Sequence, residues 1–133
     1  MNLLAFDTST DVISIAVTDG QQLWAHTGPG GSQASASLIP AIRGCLAQAG
    51  LGFSDLDAIV FGRGPGSFTG LRTACAVAQG LAFGAQSATR PGGVPVLPVD
   101  TLLAVAEDAR HQHGVHQVVA VLDARMDEVY TAP

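Results

Sequence analysis

The sequence predicts an α/β fold: a mixed sheet with a three-stranded antiparallel opening and flanking helices. Three observations predict it. Short β-forming runs fill residues 3–26, two longer segments carry apolar residues at helical spacing, and a continuous apolar run directly precedes a glycine-rich loop. With 133 residues, 47% of them hydrophobic and 13% charged, the chain is long enough to form a core and too apolar to be disordered.

The first part of the chain reads as three consecutive strands. The middle run alternates in polarity, and Asp19-Gly20 after it is typical of a hairpin turn. The small, polar segment Thr27–Ser37 is predicted to be a loop. The three strands are predicted at residues 3–6, 12–18 and 23–26.

Two helices are predicted next. The first covers Ser37–Ala49, with Pro40 tolerable only in the first turn and Gly50 placed for a C-terminal cap. The second covers Thr69–Gly84 and is apolar nearly all round, which indicates burial on more than one side. It is either a central helix or a partner surface.

The last third of the chain is predicted to contain three strands and one helix. A short strand with edge-type prolines is predicted at residues 94–99. A third helix follows over Asp100–Ala109, with Asp100 as N-cap. We expect its inward face to carry Leu102, Leu103, Val105 and Ala106. Residues 118–122 read as a strand buried on both faces, and Glu128 begins another strand after a turn.

The glycine-rich loop, residues 62–72, is the first candidate for a binding site. Its glycines permit a close backbone approach, and Ser67 or Thr69 can cap the helix that follows. The free N–H groups of that helix favour an anion such as phosphate. The glycine spacing is not Gly-x-Gly-x-x-Gly, and the chain has no Lys for a P-loop. A loop that only turns the chain is the alternative.

The charge, cysteine and histidine patterns give no support for a nucleic-acid-binding surface or a metal site. Net charge is −5 and the six Arg are scattered, so no basic patch for nucleic acid is expected. Arg63 and Arg72 are candidates to bind a phosphate or a partner's carboxylate, and the alternative is that they are solvated or pair locally. We interpret Cys45 and Cys75 as reduced, packed thiols. We assign no metal site to His111, His113 and His116, because they lie at a predicted helix end that runs into a loop, where histidines suit the helix dipole. With no membrane span or signal peptide recognised, we expect a cytoplasmic protein.

Three segments carry a family resemblance. Gly62-Arg-Gly-Pro-Gly-Ser-Phe-Thr-Gly-Leu-Arg72, Asp7-Thr-Ser-Thr10 and Asp123-Ala-Arg-Met-Asp-Glu-Val-Tyr130 resemble the motifs of the TsaB (YeaZ) family. That family is the non-catalytic partner in bacterial synthesis of the threonylcarbamoyl modification on tRNA adenosine. The opening strands are also similar to the actin-like ATPase (ribonuclease H-like) superfamily. The resemblance spans nearly the whole chain, and family members usually continue into a second lobe.

The resemblance implies an actin-like lobe over residues 1–116 and the opening hairpin of a truncated second lobe over 117–133. It implies a scaffold that binds and activates the catalytic transferase TsaD, with the ATPase TsaE as a further partner. In the absence of TsaD it implies a homodimer. Direct tRNA binding is not expected. The implied partner interface comprises Leu38, Ile42, Leu46, Arg72, Ala76, Gly80 and Phe83.

In the actin-like superfamily the turn after the first strand meets nucleotide phosphates. No firmly bound cofactor is expected, but ATP or ADP at the partner joint is a candidate. The alternative for the turn is that its side chains only bond to its own backbone. The candidate phosphate residues are Asp7, Thr8, Ser9, Gly64, Gly66, Ser67 and Thr69.

The resemblance also predicts that this chain is not an enzyme. The metal-binding His-x-x-x-His pair of the related catalytic subunit corresponds here to Thr101 and Val105, and Val105 cannot ligate a metal. Relatives usually carry a His within residues 27–37, and this chain has none there. The alternatives are a nucleotide-dependent enzyme that uses the Asp7 turn and the glycine loop, or a peptidase-like protein; no residues are assigned as catalytic or metal-binding.

Overall fold

The computed structural model describes residues 1–132, and its main body is a five-stranded mixed sheet. The strand order is β3-β2-β1-β4-β5. A separate two-stranded sheet pairs β6 with β7. The strands are β1 Leu3–Asp7, β2 Val12–Thr18, β3 Leu23–Pro29, β4 Ala58–Gly62, β5 Val96–Val99, β6 Ala120–Arg125 and β7 Glu128–Ala132. The helices are α1 Ala34–Ala49, α2 Phe68–Gly84 and α3 Thr101–His113.

Strand β1 lies at the centre of the five-stranded sheet. It pairs antiparallel with β2 and parallel with β4, so Leu3 lies opposite both Thr18 and Ala58. Strand β3 extends the antiparallel side and β5 extends the parallel side. This arrangement confirms the mixed sheet and its three-stranded antiparallel opening.

One face of this sheet forms the core beneath α1 and α2. Successive strand residues point to opposite faces, so every second side chain of each strand points toward these helices. Helix α1 packs on β2 and β3, and α2 packs on β4. The buried strand side chains of this face are Leu4, Phe6, Ile13, Ile15, Val17, Ile59 and Phe61.

The segment expected to be a loop at Thr27–Ser37 is instead mostly regular structure. Strand β3 continues to Pro29, which pairs with Val12 of β2, and the Gly30 N–H donates to the Asp11 carbonyl at 2.7 Å. Helix α1 therefore begins at Ala34, which places Pro40 in its second turn. Pro40 is exposed there, so the helix loses one backbone hydrogen bond without a buried penalty.

Two helix ends agree with the sequence. Gly50 caps α1 in the left-handed conformation with φ of 70°. The Ser67 hydroxyl oxygen accepts a hydrogen bond from the Gly70 N–H at 3.3 Å and caps α2. Both signals are local, which is why they could be read from the sequence.

Helix α3 differs from the prediction in its length and in its buried face. It continues to His113, so His111 and His113 lie in its last turn. The assignment of Leu103 and Val105 to the inward face is wrong, because Leu103 is 63% exposed and Val105 is also exposed. Leu102 is buried as expected.

The predicted burial of the strand at 118–122 is also wrong. Strand β6 begins at Ala120, the one fully buried residue in that run, whereas Val119 and Val121 are exposed. A two-stranded sheet has no further strands to bury both of its faces. Similarly, β5 begins at Val96 rather than Val94 and forms an edge strand that contains Pro98.

Candidate functional site

Asp7, at the end of β1, has both carboxylate oxygens occupied by hydrogen bonds within the chain. Its Oδ1 accepts from the Ser9 N–H at 2.7 Å and from the Ser9 hydroxyl at 2.5 Å. Its Oδ2 accepts from the Thr101 hydroxyl at 2.9 Å. The carboxylate therefore joins its own turn to the first residue of α3. No feature of the sequence indicated Thr101 as its partner, since 94 positions separate them.

The glycine loop packs directly against the turn that connects β1 to β2. The Ser67 N–H donates to the Ser9 carbonyl at 2.7 Å, and the Thr8 hydroxyl donates to the Gly70 carbonyl at 2.5 Å. A Cβ at Gly66 would lie 2.5 Å from the Ser9 carbonyl oxygen, and one at Gly70 would lie 1.9 Å from the Thr8 oxygen. Because these glycines have no side chain, the backbone of the β1–β2 turn lies in direct contact with the loop.

A third segment closes the same cluster from the side of α3. The Thr101 N–H donates to the Gly64 carbonyl at 2.8 Å, and Gly64 has a positive φ of 109°. A Cβ at Gly62 would lie 1.9 Å from the Asp7 Oδ2 atom. We call this cluster the turn–loop junction: residues 7–9, residues 62–70 and Thr101.

The turn–loop junction does not fit a phosphate cradle. Thr8 and Ser9 are only 1% and 3% exposed and bond within the junction, and the Ser67 hydroxyl caps α2. The Ser9 carbonyl oxygen occupies the space beside Gly66. A phosphate oxygen bound there would need an N–H donor instead, because two oxygen acceptors do not bond to each other. The self-bonded turn, the alternative considered from the sequence, is what these contacts form. Among the candidate phosphate side chains, Thr69 is the exposed one.

A cavity of about 610 Å³ lies next to the turn–loop junction. Its walls come from the β1–β2 turn, the first residues of α2 and the β6–β7 hairpin, including Asp11, Thr69, Asp123 and Tyr130. Two carboxylates on its walls oppose the binding of a bare anion. The cavity is the place where a ligand would meet the exposed Thr69.

Both arginines that flank the glycine loop have local partners. Arg63 Nε donates to the Asp100 carboxylate at 2.7 Å, and this hydrogen bond lowers the pKa of Asp100. Because that carboxylate accepts from Arg63, Asp100 occupies the N-cap position of α3 without a side-chain capping bond. The Arg72 guanidinium carbon lies 4.3 Å from the centre of the Phe68 ring, a cation–π contact.

The residues expected at a partner interface divide into two groups. Leu38, Ile42 and Leu46 are buried against the sheet, so placing them at a partner surface was wrong: the helix face that the periodicity identified is the core face. Arg72, Ala76, Gly80 and Phe83 are exposed on α2. Their spacing of three or four residues aligns them on one side of the helix.

The exposed side of α2 is largely apolar, in keeping with a helix whose sequence is apolar nearly all round. Phe68 and Phe83, at its two ends, are 70% and 69% exposed. A Cβ at Gly80 would meet no atom within 4 Å. We call this surface the α2 strip: Phe68, Arg72, Ala76, Gly80 and Phe83. Sequence analysis missed Phe68, although the four-residue spacing from Arg72 could have identified it.

The thiols and histidines form no site among the described residues. Cys45 is buried, which raises the pKa of its thiol, and Cys75 is half-buried; both are free. Within residues 1–132 no three His, Cys, Asp or Glu side chains come together in a way that could hold a metal ion. The helices described there include none long and apolar enough to cross a membrane.

Comparison with known proteins identifies relatives along nearly the whole chain. Residues 24–133 match the family model described as "TsaD: tRNA N6-adenosine threonylcarbamoyltransferase". A protein of Haemophilus influenzae named "tRNA threonylcarbamoyladenosine biosynthesis protein TsaB" is 43% identical over 98% of this chain and 52% of its own length. Its namesake in Escherichia coli is 37% identical over 99% of this chain and 54% of its own length. The chain spans about half the length of these curated relatives.

A solved structure agrees with these relatives. "YeaZ from Pseudomonas aeruginosa" superimposes with a TM-score of 0.87 at 43% identity, over 98% of this chain and 58% of that one. This agreement confirms the predicted actin-like fold class. The chain therefore belongs to the family that the matching model describes, that of the tRNA N6-adenosine threonylcarbamoyltransferase TsaD, and is similar to the proteins named TsaB and YeaZ.

Proposed function

We propose that this chain is a non-catalytic subunit that binds the catalytic transferase TsaD and activates it for threonylcarbamoylation of tRNA adenosine. The family and the names of its relatives support the pathway. The observation that carries the binding role is the α2 strip, an exposed apolar helix face with a glycine notch. Exposed apolar surface of this kind is typical of a protein–protein contact.

The shape of the α2 strip supports a helix as the contacting element. Ala76 and Gly80 are one turn apart and small, so another backbone can approach closely between the rings of Phe68 and Phe83. Aromatic and Arg side chains are the residues that most often dominate binding energy at interfaces. Arg72 is stacked on Phe68 and would pair with a partner carboxylate at the edge of the strip.

The positions that correspond to the metal-binding His pair support a role without catalysis. Thr101 is buried with its hydroxyl bonded to Asp7, and Val105 is an exposed apolar side chain. Neither offers a nitrogen ligand. The chemistry of the transferase would then belong to the partner, and this chain would contribute a binding surface.

The same proposal includes two further contacts and a candidate ligand. A second copy of this chain would occupy the α2 strip when TsaD is absent, and TsaE would join the assembled pair. ATP or ADP, if it touches this chain, would do so at the 610 Å³ cavity rather than within the turn–loop junction. The net charge of −5 supports the expectation that this chain does not bind tRNA directly.

The test is the mass of this chain in solution, alone and mixed with TsaD from the same organism, by light scattering. We expect a complex with TsaD, and Gly80→Leu should weaken it at least about tenfold, because a leucine in the notch blocks close approach. Gln112→Leu places the same side chain on an exposed site of α3 and should bind like the wild type. Circular dichroism confirms that both variants are folded.

Two results would overturn the proposal. One is a wild-type chain that forms no complex with TsaD; the other is a folded Gly80→Leu variant that binds as tightly as the wild type, which would reject the α2 strip. ATP turnover by the isolated chain decides the enzyme alternative. Turnover that disappears in Asp7→Ala would establish it, and we expect none.

A further inference from the structure

The two edge strands of the five-stranded sheet differ in length and in composition. Strand β3 is seven residues long and contains no Asp, Glu, Lys or Arg, and its one proline is its last residue. Strand β5 is four residues long and has Pro98 within it. Proteins commonly protect exposed sheet edges with charged side chains, prolines or very short strands. The β5 edge is protected in this way, and the β3 edge is not.

The register of β3 shows which of its backbone groups point away from β2. The Gly30 N–H donates to the Asp11 carbonyl at 2.7 Å, so these two opposed residues form a hydrogen-bonded pair of the antiparallel ladder. Every second residue back from Gly30 therefore bonds to β2, and the residues between direct their N–H and C=O groups outward. The outward residues that possess an N–H are Leu23, Ala25 and Thr27.

The β5 edge offers fewer outward groups than the β3 edge. The Ile59 N–H donates to the Pro95 carbonyl at 2.9 Å, so alternate residues from position 95 onward face β4. The residues that face outward on β5 are Val96 and Pro98, and a proline has no N–H. Strand β3 thus has three outward N–H donors with their carbonyl acceptors, whereas β5 has one donor.

Within residues 1–132, no other strand covers the β3 edge. Strand β3 pairs with β2 alone. Leu23, Ala25 and Thr27 are exposed. An added strand that runs antiparallel to β3 could therefore bond to all three residues, both as donors and as acceptors.

Two aromatic rings lie beside this edge on the side of α1. Trp24 is half-buried against the core, and two residues later His26 points to the same face. A Cβ at Gly28 would lie 3.2 Å from the His26 Nε2 atom, so the imidazole extends along the strand over this glycine. Every second side chain of an added strand would lie beside these rings, and apolar side chains suit that position.

The two ends of the β3 edge are acidic. Before β3, the Asp19 carboxylate accepts a hydrogen bond from the Gln22 N–H at 2.8 Å. After β3, the Asp11 Oδ1 atom lies 3.5 Å from the position of a Cβ at Gly31. An uncharged strand between two carboxylates favours an occupant that is uncharged at its centre and basic at its ends.

We propose that the β3 edge binds an extended segment of another protein, which joins the sheet as a sixth strand. The segment has apolar side chains at alternate positions and Lys or Arg at its ends. Main-chain hydrogen bonds supply its affinity, and the rings of Trp24 and His26 select its side chains. A second copy of this chain is disfavoured as the occupant, because pairing two β3 strands brings their acidic ends together. This surface is separate from the α2 strip, and the inference does not depend on the proposed function.

The test measures hydrogen exchange of the β3 amides in the presence of a synthetic peptide. The probe is acetyl-Lys-Val-Thr-Val-Thr-Val-Lys-amide, which has apolar side chains on one face and a basic residue at each end. Its control is the same peptide with N-methyl groups on the three central residues, which keeps the charge and removes the central donors. The fluorescence of Trp24, the one tryptophan of the chain, gives the Kd.

At a free peptide concentration about ten times its Kd, we expect exchange at Leu23, Ala25 and Thr27 to slow about tenfold. The amides of Trp24 and His26 should not change, because they already bond to β2. The N-methylated peptide should leave all five unchanged. Unaltered exchange at the three outward amides in about 1 mM peptide would overturn the proposal, and so would equal slowing by the N-methylated peptide.

Two variants of Ala25 locate the contact. Ala25→Pro removes the central outward N–H and should weaken peptide binding at least about tenfold; a proline is tolerated on an edge strand where the N–H faces solvent. Ala25→Val retains the N–H and should bind like the wild type, and circular dichroism confirms that both variants are folded. A folded Ala25→Pro variant that binds as tightly as the wild type would overturn the proposal. Protection of the outward amides that rises with the concentration of this chain alone would also overturn it, because a second copy would then be the occupant.

Discussion

The two faces of the five-stranded sheet are made by the same strands, yet they carry different side chains. On β1, Leu4 and Phe6 point to the helices while Ala5 points to the opposite side; on β4, Ile59 and Val60 divide in the same way. The face with large side chains is covered within this chain, and the face with small ones is not. The difference shows that the large side chains of one face fill the core, whereas the small side chains of the other face stay partly exposed.

The largest expected effect compares two adjacent residues of β4. Ile59 is fully buried on the helix-covered face, so Ile59→Ala should lower the free energy of unfolding by about 2–5 kcal/mol through lost transfer energy and a cavity. Val60→Ala on the other face should cost only about 1 kcal/mol, because Val60 is half-exposed. Urea unfolding followed by Trp24 fluorescence measures both. Equal costs would show that the second face is covered in solution.

The next effect concerns Asp7, whose carboxylate bonds the second face of the sheet to the first residue of α3. Asp7→Ala removes three hydrogen bonds and leaves the buried Thr101 hydroxyl and the Ser9 N–H without their acceptor. We expect a loss of about 1–3 kcal/mol of stability. The control is Ser14→Ala, the exposed cross-strand neighbour of Asp7 on the same face, which should stay within about 0.5 kcal/mol of wild type.

A third prediction examines how tightly Gly62 and Asp7 are packed on that face. The Cβ of Gly62→Ala would overlap the Asp7 carboxylate, so it should destabilise the protein by about 1–3 kcal/mol. In an Asp7→Ala background the carboxylate is absent and the same change should cost less. A double-mutant cycle measures this coupling, which we expect to exceed about 0.5 kcal/mol. Additive costs would mean that the two residues are not in contact in solution.

The matched control for Gly62 lies on α2. Gly80 has no atom within 4 Å of a built Cβ, and it occupies a helix interior. Gly80→Ala should therefore stabilise the isolated chain by up to about 1 kcal/mol, because alanine favours the helix. Thermal unfolding of the two glycine variants should thus show shifts of opposite sign.

The smallest effect is at the opposite end of β1 and β4, where Asp57 is half-buried. The Asn2 N–H, at 2.7 Å, is the main cause of its lowered pKa, and Arg90 at 3.3 Å contributes less. A carboxyl whose pKa falls on folding contributes stability above its ordinary value of 3.8 and loses it as the pH falls through the folded value.

Thermal unfolding from neutral pH to about pH 2 measures this contribution. Asp57→Asn should flatten the acid limb of the stability curve slightly. Arg90→Gln should flatten it less, because the Asn2 bond remains. A larger effect from Arg90→Gln would reverse the assigned order of causes.

Sequence patterns predicted those parts of the fold that depend on local signals. Strand β2, with its alternating residues, was predicted with the bounds that the structure gives it, and the caps at Gly50 and Ser67 follow from residue type. Strand β3 was predicted too short, because its last residues are extended only through pairing with β2. The exposure of Leu103 depends on what α3 packs against, which periodicity does not contain.

The candidate site was harder to predict, because it also depends on contacts between segments that are distant in sequence. The sequence identified the Asp7 turn and the glycine loop, and it indicated that both bring polar groups and free backbone to a strand end. It did not indicate that the two would bond to each other. The contact between Thr8 and Gly70 joins positions 62 residues apart, and a glycine placed for a ligand has the same sequence signal as one placed for another segment of the chain.

The central position of β1 has a consequence for the order of synthesis and folding. Strand β1 is synthesised before the other strands of its sheet and gains β2 and β3 within the next two dozen residues, but its parallel partner β4 begins only at Ala58. Until then one edge of the central strand is unpaired, and α1 has been made before the sheet that it covers is complete. The antiparallel meander is the local nucleus available early, and closing the long loop to β4 is the slow, entropically costly step. A nascent chain is therefore most vulnerable to association through β1 while residues 30–57 are being synthesised.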